Sequence, residues 1–272
     1  MAQLPPAAPQ SFAPAPAWYA VGIFVLLLGL SFIDRLIMSL LAPDINRELA
    51  ISDTQIGLLF GLGFGVVYAL TGLPLAHLID NHRRIPLIVL GVSLWSLSTI
   101  ASAFAPGFTS LLILRSGVAI GEAVLSPAVI SLIADIFPRD KRVLPTTVYT
   151  AAGAVMYTGA LVFGGAAFQL ATAISDMVNL APWQITLILV GVPGLLLAPL
   201  LLLTVPEPAR KGVVMTEEFT TPGEAIAYFR REGKLYGPLF LGVSAISMCN
   251  TAKIAWTPSL MIRAHQMDPT MV

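Results

Sequence analysis

Long uninterrupted runs of apolar residues are the feature that most restricts how this chain can fold. A helix needs roughly 20 apolar residues to cross a bilayer, and seven segments reach that length. They are residues 18–41, 55–77, 86–105, 108–137, 143–172, 182–205 and 235–263. A membrane β-barrel would show alternating segments of about ten residues instead. The sequence therefore predicts an all-α polytopic membrane protein.

Composition excludes several other classes of protein. Only 11% of the residues are charged and 56% are hydrophobic, whereas soluble domains carry about 25% charged residues. The formal net charge is zero, so the basic surface typical of nucleic-acid binding is absent. The single cysteine, Cys249, excludes an intrachain disulfide framework and a multi-cysteine metal site.

The basic residues between the apolar segments predict the orientation in the membrane. Connections after the second, fourth and sixth segments carry ten of the 15 Lys and Arg residues, and the other connections among the first six carry Arg47 alone. The positive-inside rule places the ten residues and the N-terminus in the cytoplasm. Residues 1–17, rich in Ala and Pro, are predicted to form a disordered cytoplasmic tail. Trp18 and Tyr19 follow at the position of an interfacial aromatic belt.

The chain divides into two membrane regions joined by a linker. Residues 18–205 are predicted to form a six-helix bundle, and 235–272 to begin a second bundle. The linker, 206–234, contains Thr221-Pro-Gly-Glu224, which is typical of a helix start. We expect a short amphipathic helix on the cytoplasmic membrane surface, with an unstructured tether as the alternative. GFGVVY at 63–68 resembles AGAVMY at 152–157, as expected of two three-helix repeats.

Five charged residues lie inside the predicted spans, where each costs at least roughly 2.5 kcal/mol. They are Asp34, Arg35, Arg115, Glu122 and Lys253. Neighbouring helix positions point about 100° apart, so Asp34 and Arg35 each need a partner on another helix. Asp34 and Arg115 both lie about 10 Å below the outer surface at 1.5 Å per residue, which allows an ion pair between them.

Glu122 lies two helical turns deeper than Arg115, near the bilayer midplane where transporter sites tend to lie. Glu122 and Asp34 are candidates for proton coupling, because a low-dielectric cavity disfavours the charged carboxylate. Arg35 or Arg115 could bind an anionic substrate group, and a static ion pair is the alternative. Five further residues are candidates for lining the cavity, although the tyrosines fit helix packing equally well: Lys253, Asn250, Tyr68, Tyr149 and Tyr157.

Enzymatic motifs are absent from the sequence. There is no HExxH, no GxSxG and no GxxxxGK[ST], which disfavours metalloprotease, serine-hydrolase and ATPase activities. The three histidines do not form a ligand cluster. We therefore predict a protein that is not an enzyme and has no metal or cofactor.

The connection after the second span, GLPLAHLIDNHRR at 72–84, resembles the signature GxxxDRxGRR of the major facilitator superfamily. Asp80 and Arg84 match it, whereas Ala76, Asn81 and Arg83 depart from it. Asp135 resembles the acidic residue that joins the same cluster. The resemblance implies that Asp80, Arg84 and Asp135 form a cytoplasmic gate.

A second set of motifs resembles the Spinster-like branch of that superfamily. It comprises RSGVAIGEA at 115–123, the pair Asp34-Arg35, and Trp256-Thr-Pro258. The resemblance implies a carrier of two six-helix bundles with the substrate site between them, in which Asp34, Arg35 and Glu122 couple protons to transport. It also implies an amphipathic lipid substrate, such as a sphingolipid or lysophospholipid. The short loops and the tail rich in Ala and Pro indicate a bacterial inner membrane.

Other functions stay open at this point. They are a proton-coupled metabolite or drug carrier of another branch, a facilitator without ion coupling, and a non-transporting membrane sensor. A complete carrier of this kind has about twelve spans, so the sequence is expected to be a fragment that lacks the rest of the second bundle.

Overall fold

Helices make up all the regular structure that the computed structural model describes, at residues 14–210 and 222–266. The chain forms two compact units, Met1–Pro208 and Ala209–Val272. The first contains α1 (Pro14–Leu49), α2 (Asp53–Phe60), α3 (Leu62–Asn81), α4 (Arg84–Ser102), α5 (Phe108–Ala123), α6 (Leu125–Ile136), α7 (Val143–Val178) and α8 (Pro182–Thr204). The second contains α9 (Pro222–Arg231) and α10 (Gly233–His265).

The six predicted spans of the first bundle are confirmed as six helical segments long and apolar enough to cross a membrane. Two of them are interrupted, at Gly61 between α2 and α3 and at Val124 between α5 and α6. The first helix begins at Pro14, inside the predicted tail, because prolines are tolerated in a first helical turn where the backbone N–H groups lack helical partners. Residues 1–13 of that tail lie outside the described residues.

The seventh predicted span coincides with α10, a helix of 33 residues. Within the part of the chain that the structure describes, α10 is not among the candidate membrane spans. The linker helix is also present as α9, which begins at the predicted Pro222, whereas Thr221, its predicted N-cap, lies outside the described residues.

The packing of the first unit has the symmetry expected of two three-helix repeats. Extensive contacts join α1 with α7, α4 with α8, α4 with α5 and α3 with α5, which correspond to spans 1 with 5, 3 with 6, 3 with 4 and 2 with 4. Exchanging the first three spans with the next three maps the contact of spans 1 and 5 onto that of 2 and 4, leaves that of 3 and 6 unchanged, and maps that of 3 and 4 onto the smaller contact of 1 and 6. The repeat seen weakly in the sequence is therefore also a repeat in packing.

Backbone-to-backbone contact between α4 and α5 fixes the helix that carries two of the buried charges. A Cβ atom on Gly121 would overlap the carbonyl oxygen of Gly91 and lie 2.8 Å from the Trp95 nitrogen. Small residues of this kind let membrane helices approach closely. Gly121 precedes Glu122, so this contact sets the height and rotation of the Glu122 side chain.

We predict that Gly121→Ala lowers the stability of the first unit by about 1–3 kcal/mol, the usual cost of overpacking a core. Gly165→Ala is the matched control, because nothing lies within 4 Å of a Cβ atom there. The thermal unfolding midpoint of each purified variant in detergent checks this. Equal midpoints for the two variants would contradict the packing described here.

Candidate functional site

Two ion pairs on adjacent residues join α1 to α5 within the membrane region. Nη1 of Arg115 lies 2.7 Å from Oδ1 of Asp34, and Nη2 of Arg35 pairs with Oε2 of Glu122. The predicted pairing of Asp34 with Arg115 is confirmed. The expectation that neighbouring positions on α1 require separate partners is also confirmed. Both partners, Arg115 and Glu122, lie on α5.

Each carboxylate oxygen of Asp34 accepts a hydrogen bond. Besides the bond from Arg115 to Oδ1, the hydroxyl group of Thr99 on α4 donates to Oδ2. All three residues are buried. Breaking a buried ion pair is costly because it leaves an uncompensated charge, so this cluster fastens α1, α4 and α5 to one another.

The pair of Arg35 with Glu122 is less complete. The Glu122 side chain is 0% exposed, but that of Arg35 is 36% exposed. Among the described residues, Oε1 of Glu122 and Nε of Arg35 have no hydrogen-bond partner, and in the other pair Nε of Arg115 has none either, whereas both carboxylate oxygens of Asp34 are bonded. A buried polar atom without a partner is costly. Oε1 of Glu122 is therefore available to bind a proton, and Nε of Arg35 is available to donate to an anionic group.

Aromatic rings surround the guanidinium group of Arg35. Its central carbon lies 4.9 Å from the ring centroid of Phe64, 5.4 Å from that of Tyr68 and 5.9 Å from that of Phe32. Tyr157 packs edge-on against Phe32 at 5.6 Å between centroids. Cation–π attraction stabilises an arginine in such a position. Two of the predicted lining residues, Tyr68 and Tyr157, therefore belong to the surroundings of Arg35.

The remaining lining candidates lie elsewhere. Tyr149 is buried, and its hydroxyl oxygen is 3.4 Å from Oγ of Ser126 on α6. Asn250 and Lys253 are exposed on α10, in the second unit. A cavity-lining role for Asn250 and Lys253 stays a prediction.

A second charge cluster lies where α4 begins and α6 and α8 end. Arg84, wholly buried, donates from Nη1 to Asp135 and from Nε to Oε1 of Glu207 at 3.0 Å. Glu207 also accepts from the backbone N–H groups of Arg84 and Ile85, at 3.1 and 2.7 Å. It thereby satisfies donors that every helix N-terminus leaves unpaired. The carboxylate of Glu207 thus ties the residues after α8 to the start of α4.

Two of the three residues predicted to form a cytoplasmic gate are paired, and the gate itself stays a prediction. Arg84 and Asp135 are together, whereas Asp80 is exposed at the end of α3, and the ion pairs of Arg84 go to Asp135 and Glu207. The sequence analysis missed Glu207 and Thr99. Glu207 could have been found as the only acid directly after the sixth span, between two prolines. No signal in the sequence marks Thr99, because threonines are common in membrane helices.

Within residues 14–210 and 222–266, no three His, Cys, Asp or Glu side chains are grouped so that they could hold a metal ion. The chemistry that the site offers is ionic. A carboxylate can exchange a proton, and an arginine can exchange one anionic partner for another.

Comparison with known proteins identifies relatives of this chain. The family model described as Major Facilitator Superfamily matches residues 21–272. An MFS-type efflux pump of Mycolicibacterium smegmatis is 34% identical over 192 residues, covering 71% of this chain and 42% of the pump. Protein spinster homolog 1 of Homo sapiens is 27% identical over 242 residues, covering 87% of this chain and 44% of that protein.

A solved structure agrees with the fold. The crystal structure of a bacterial homologue of the human lysosomal transporter Spinster, inward-facing and unoccupied, superposes with a TM-score of 0.83 at 29% identity. The match covers 95% of this chain and 58% of that chain. The chain thus spans about half the length of the proteins that it matches.

We predict that Glu207→Gln destabilises the first unit by about 2 kcal/mol, the scale of a hydrogen bond to a charged group. Glutamine keeps the size of the side chain but loses the charge that Arg84 faces. Glu232→Gln is the control, because its ion pair with Arg231 is exposed and such pairs contribute little. Thermal unfolding of both variants measures the difference, and an unchanged midpoint for Glu207→Gln would show that this cluster carries no stability.

Proposed function

Because the chain belongs to the major facilitator superfamily, with Spinster proteins among its relatives, we propose that it acts in secondary active transport. In this proposal it carries an amphipathic or anionic small molecule across a membrane by alternating access, coupled to protons. The observation that carries the proposal is the incomplete pair of Arg35 and Glu122, with its unpartnered carboxylate oxygen.

The two ion pairs have different roles in this mechanism. Asp34 has both oxygens occupied by donors from two helices, so we assign it to holding Arg115 and α1 in place. Glu122 has one free oxygen and a partner that is partly exposed. Glu122 is therefore the better candidate for the residue that exchanges a proton, and Arg35 for the residue that contacts substrate.

Protonation would act on the Arg35–Glu122 pair directly. A neutral Glu122 no longer attracts the guanidinium group, which is then available to an anionic substrate group within its aromatic surroundings. A proton and a substrate that bind one conformation better than the other shift the population of inward-open and outward-open states. This exchange of partners links the two events.

The surroundings of Arg35 favour a substrate with an anionic group next to an apolar portion. A guanidinium group recognises carboxylates and phosphates, and the rings of Phe32, Phe64 and Tyr68 offer apolar contact. Within this class we propose a lysophospholipid or sphingolipid, from the Spinster resemblance. A metabolite or drug is the second candidate, supported by the relative named as an efflux pump.

We predict that Glu122→Gln abolishes substrate-driven proton movement. In proteoliposomes holding the protein, a pH-sensitive dye in the lumen should respond to added lysophosphatidylcholine with the native chain and not with the variant. Asp176→Asn, an equal change of charge at an exposed position on α7, should retain the response.

Unaltered proton movement with Glu122→Gln would refute the coupling role. Transport by the native protein that is insensitive to an imposed pH gradient would favour the facilitator instead. Asp34→Asn should reduce transport through loss of folded protein, which a parallel measurement of thermal unfolding separates from a loss of coupling.

The protein is an integral membrane protein, and we propose a bacterial inner membrane with the N-terminus in the cytoplasm. The basic residues between the spans support this orientation. The cluster of Arg84, Asp135 and Glu207 then lies on the cytoplasmic side. We propose that it is a cytoplasmic gate at the start of α4 and the ends of α6 and α8, and that α9 is a helix of the cytoplasmic membrane surface.

We predict that a cysteine at Arg139 is labelled only from the cytoplasmic side and a cysteine at Asn179 only from the outer side. Each is introduced into a Cys249→Ala background, because Cys249 is the single native cysteine. A membrane-impermeant maleimide applied to intact and to permeabilised cells reads the result. Labelling of Arg139→Cys in intact cells would show that the orientation is opposite to the one proposed.

A further inference from the structure

A cleft opens between the first turns of α1 and α7, at the end of the bundle where both helices begin. Its volume is about 410 Å³, within the range of roughly 300–1,000 Å³ that small-molecule sites occupy. Apolar side chains form most of its wall: Trp18, Phe137, Val143 and Leu144. The ring of Trp18 packs edge-on against Phe137, with 5.7 Å between centroids.

The apolar wall of this cleft is not covered by the rest of the bundle. Val143 is 76% exposed and Leu144 is 62% exposed. Apolar side chains in a concave site at a membrane edge require an apolar occupant. An acyl chain meets that requirement, since it is the apolar material that surrounds such a helix bundle.

Positive charge lies at the rim of the same cleft. The 3₁₀ turn Arg139–Lys141 and the following Arg142 carry three cations and one acid, Asp140, for a net charge of +2. Lys141 and Asp140 line the cleft together with Thr147. Arg142 donates from Nε to the backbone oxygen of Phe137 at 3.1 Å, which holds its charge next to the cleft.

We propose that this cleft binds an anionic phospholipid, with the phosphate at the Arg139–Arg142 turn and one acyl chain between Trp18, Val143 and Leu144. Basic pockets beside membrane helices on the cytoplasmic side are suited to anionic head groups, and a tryptophan at the interface is suited to their upper acyl region. The site lies apart from Arg35 and Glu122, so the lipid is a bound partner and not the transported substrate. The proposal does not depend on transport.

Native mass spectrometry of the full chain in detergent, titrated with phosphatidylglycerol or with phosphatidylcholine of the same acyl chains, tests this site. Phosphatidylglycerol should bind more tightly. Lys141→Gln should weaken it about fivefold, and Asp140→Asn should strengthen it about fivefold, from the contribution of one charge near the surface. Arg47→Gln, at a residue whose side chain is 81% exposed at the far end of α1, should change nothing.

Two further arms separate the lipid from other occupants. Thr147→Phe fills the cleft without altering charge and should reduce binding of phosphatidylglycerol at least as much as Lys141→Gln. Glycerol phosphate, which has no acyl chain, should not compete. Deletion of residues 1–13 should leave the affinity unchanged.

The proposal is overturned by equal affinity for the two lipids or by charge variants that bind like the native chain. Competition by glycerol phosphate would reduce the site to one for a free anion. A large rise in affinity after the deletion would show that the N-terminal segment occupies the cleft. Size-exclusion profiles of all variants confirm that each is folded before it is compared.

Discussion

The cost of placing charge inside a bilayer is the constraint on which the rest of this structure depends. Asp34 and Arg35 are neighbours on α1, so their side chains leave the helix in different directions and each must be neutralised separately. Arg115 and Glu122, two turns apart on α5, provide the two partners. The height and rotation of α1 against α5 are therefore fixed by two ion pairs, and the close contact of Gly121 with Gly91 fixes α5 against α4.

The two pairs differ in completeness, and the function that we propose follows from that difference. Thr99 completes the shell of Asp34, whereas Glu122 keeps an oxygen without a partner and Arg35 remains partly exposed among aromatic rings. The pair of Asp34 resists change because both carboxylate oxygens accept hydrogen bonds, although Nε of Arg115 has no partner among the described residues. The pair of Glu122 can exchange a proton or a ligand at lower cost. Helix α1 thus carries two consecutive residues with different roles: Asp34 holds helices together, and Arg35 can change its partner.

The sequence predicted the six helices of the first unit, because twenty-residue apolar runs have few alternatives in a membrane protein. It also predicted that Asp34 meets Arg115, since both lie at similar depth. It could not predict that Thr99 binds Asp34 or that Glu207 binds Arg84, because those contacts depend on the rotation of α4 and α8 about their axes. Because α4 and α8 are apolar on all sides, the sequence does not specify how each helix is rotated about its axis. The start of α1 at Pro14 was missed because prolines suggested a tail.

Infrared spectroscopy of the protonated carboxyl group tests the central claim, that Glu122 is the carboxyl group that exchanges a proton. As the pH is raised, the purified protein should lose a protonated-carboxyl band that is absent at every pH in Glu122→Gln and retained in folded Asp34→Asn. A band that disappears in Asp34→Asn but persists in Glu122→Gln would contradict the account, because the pair of Asp34 would then be the one that titrates.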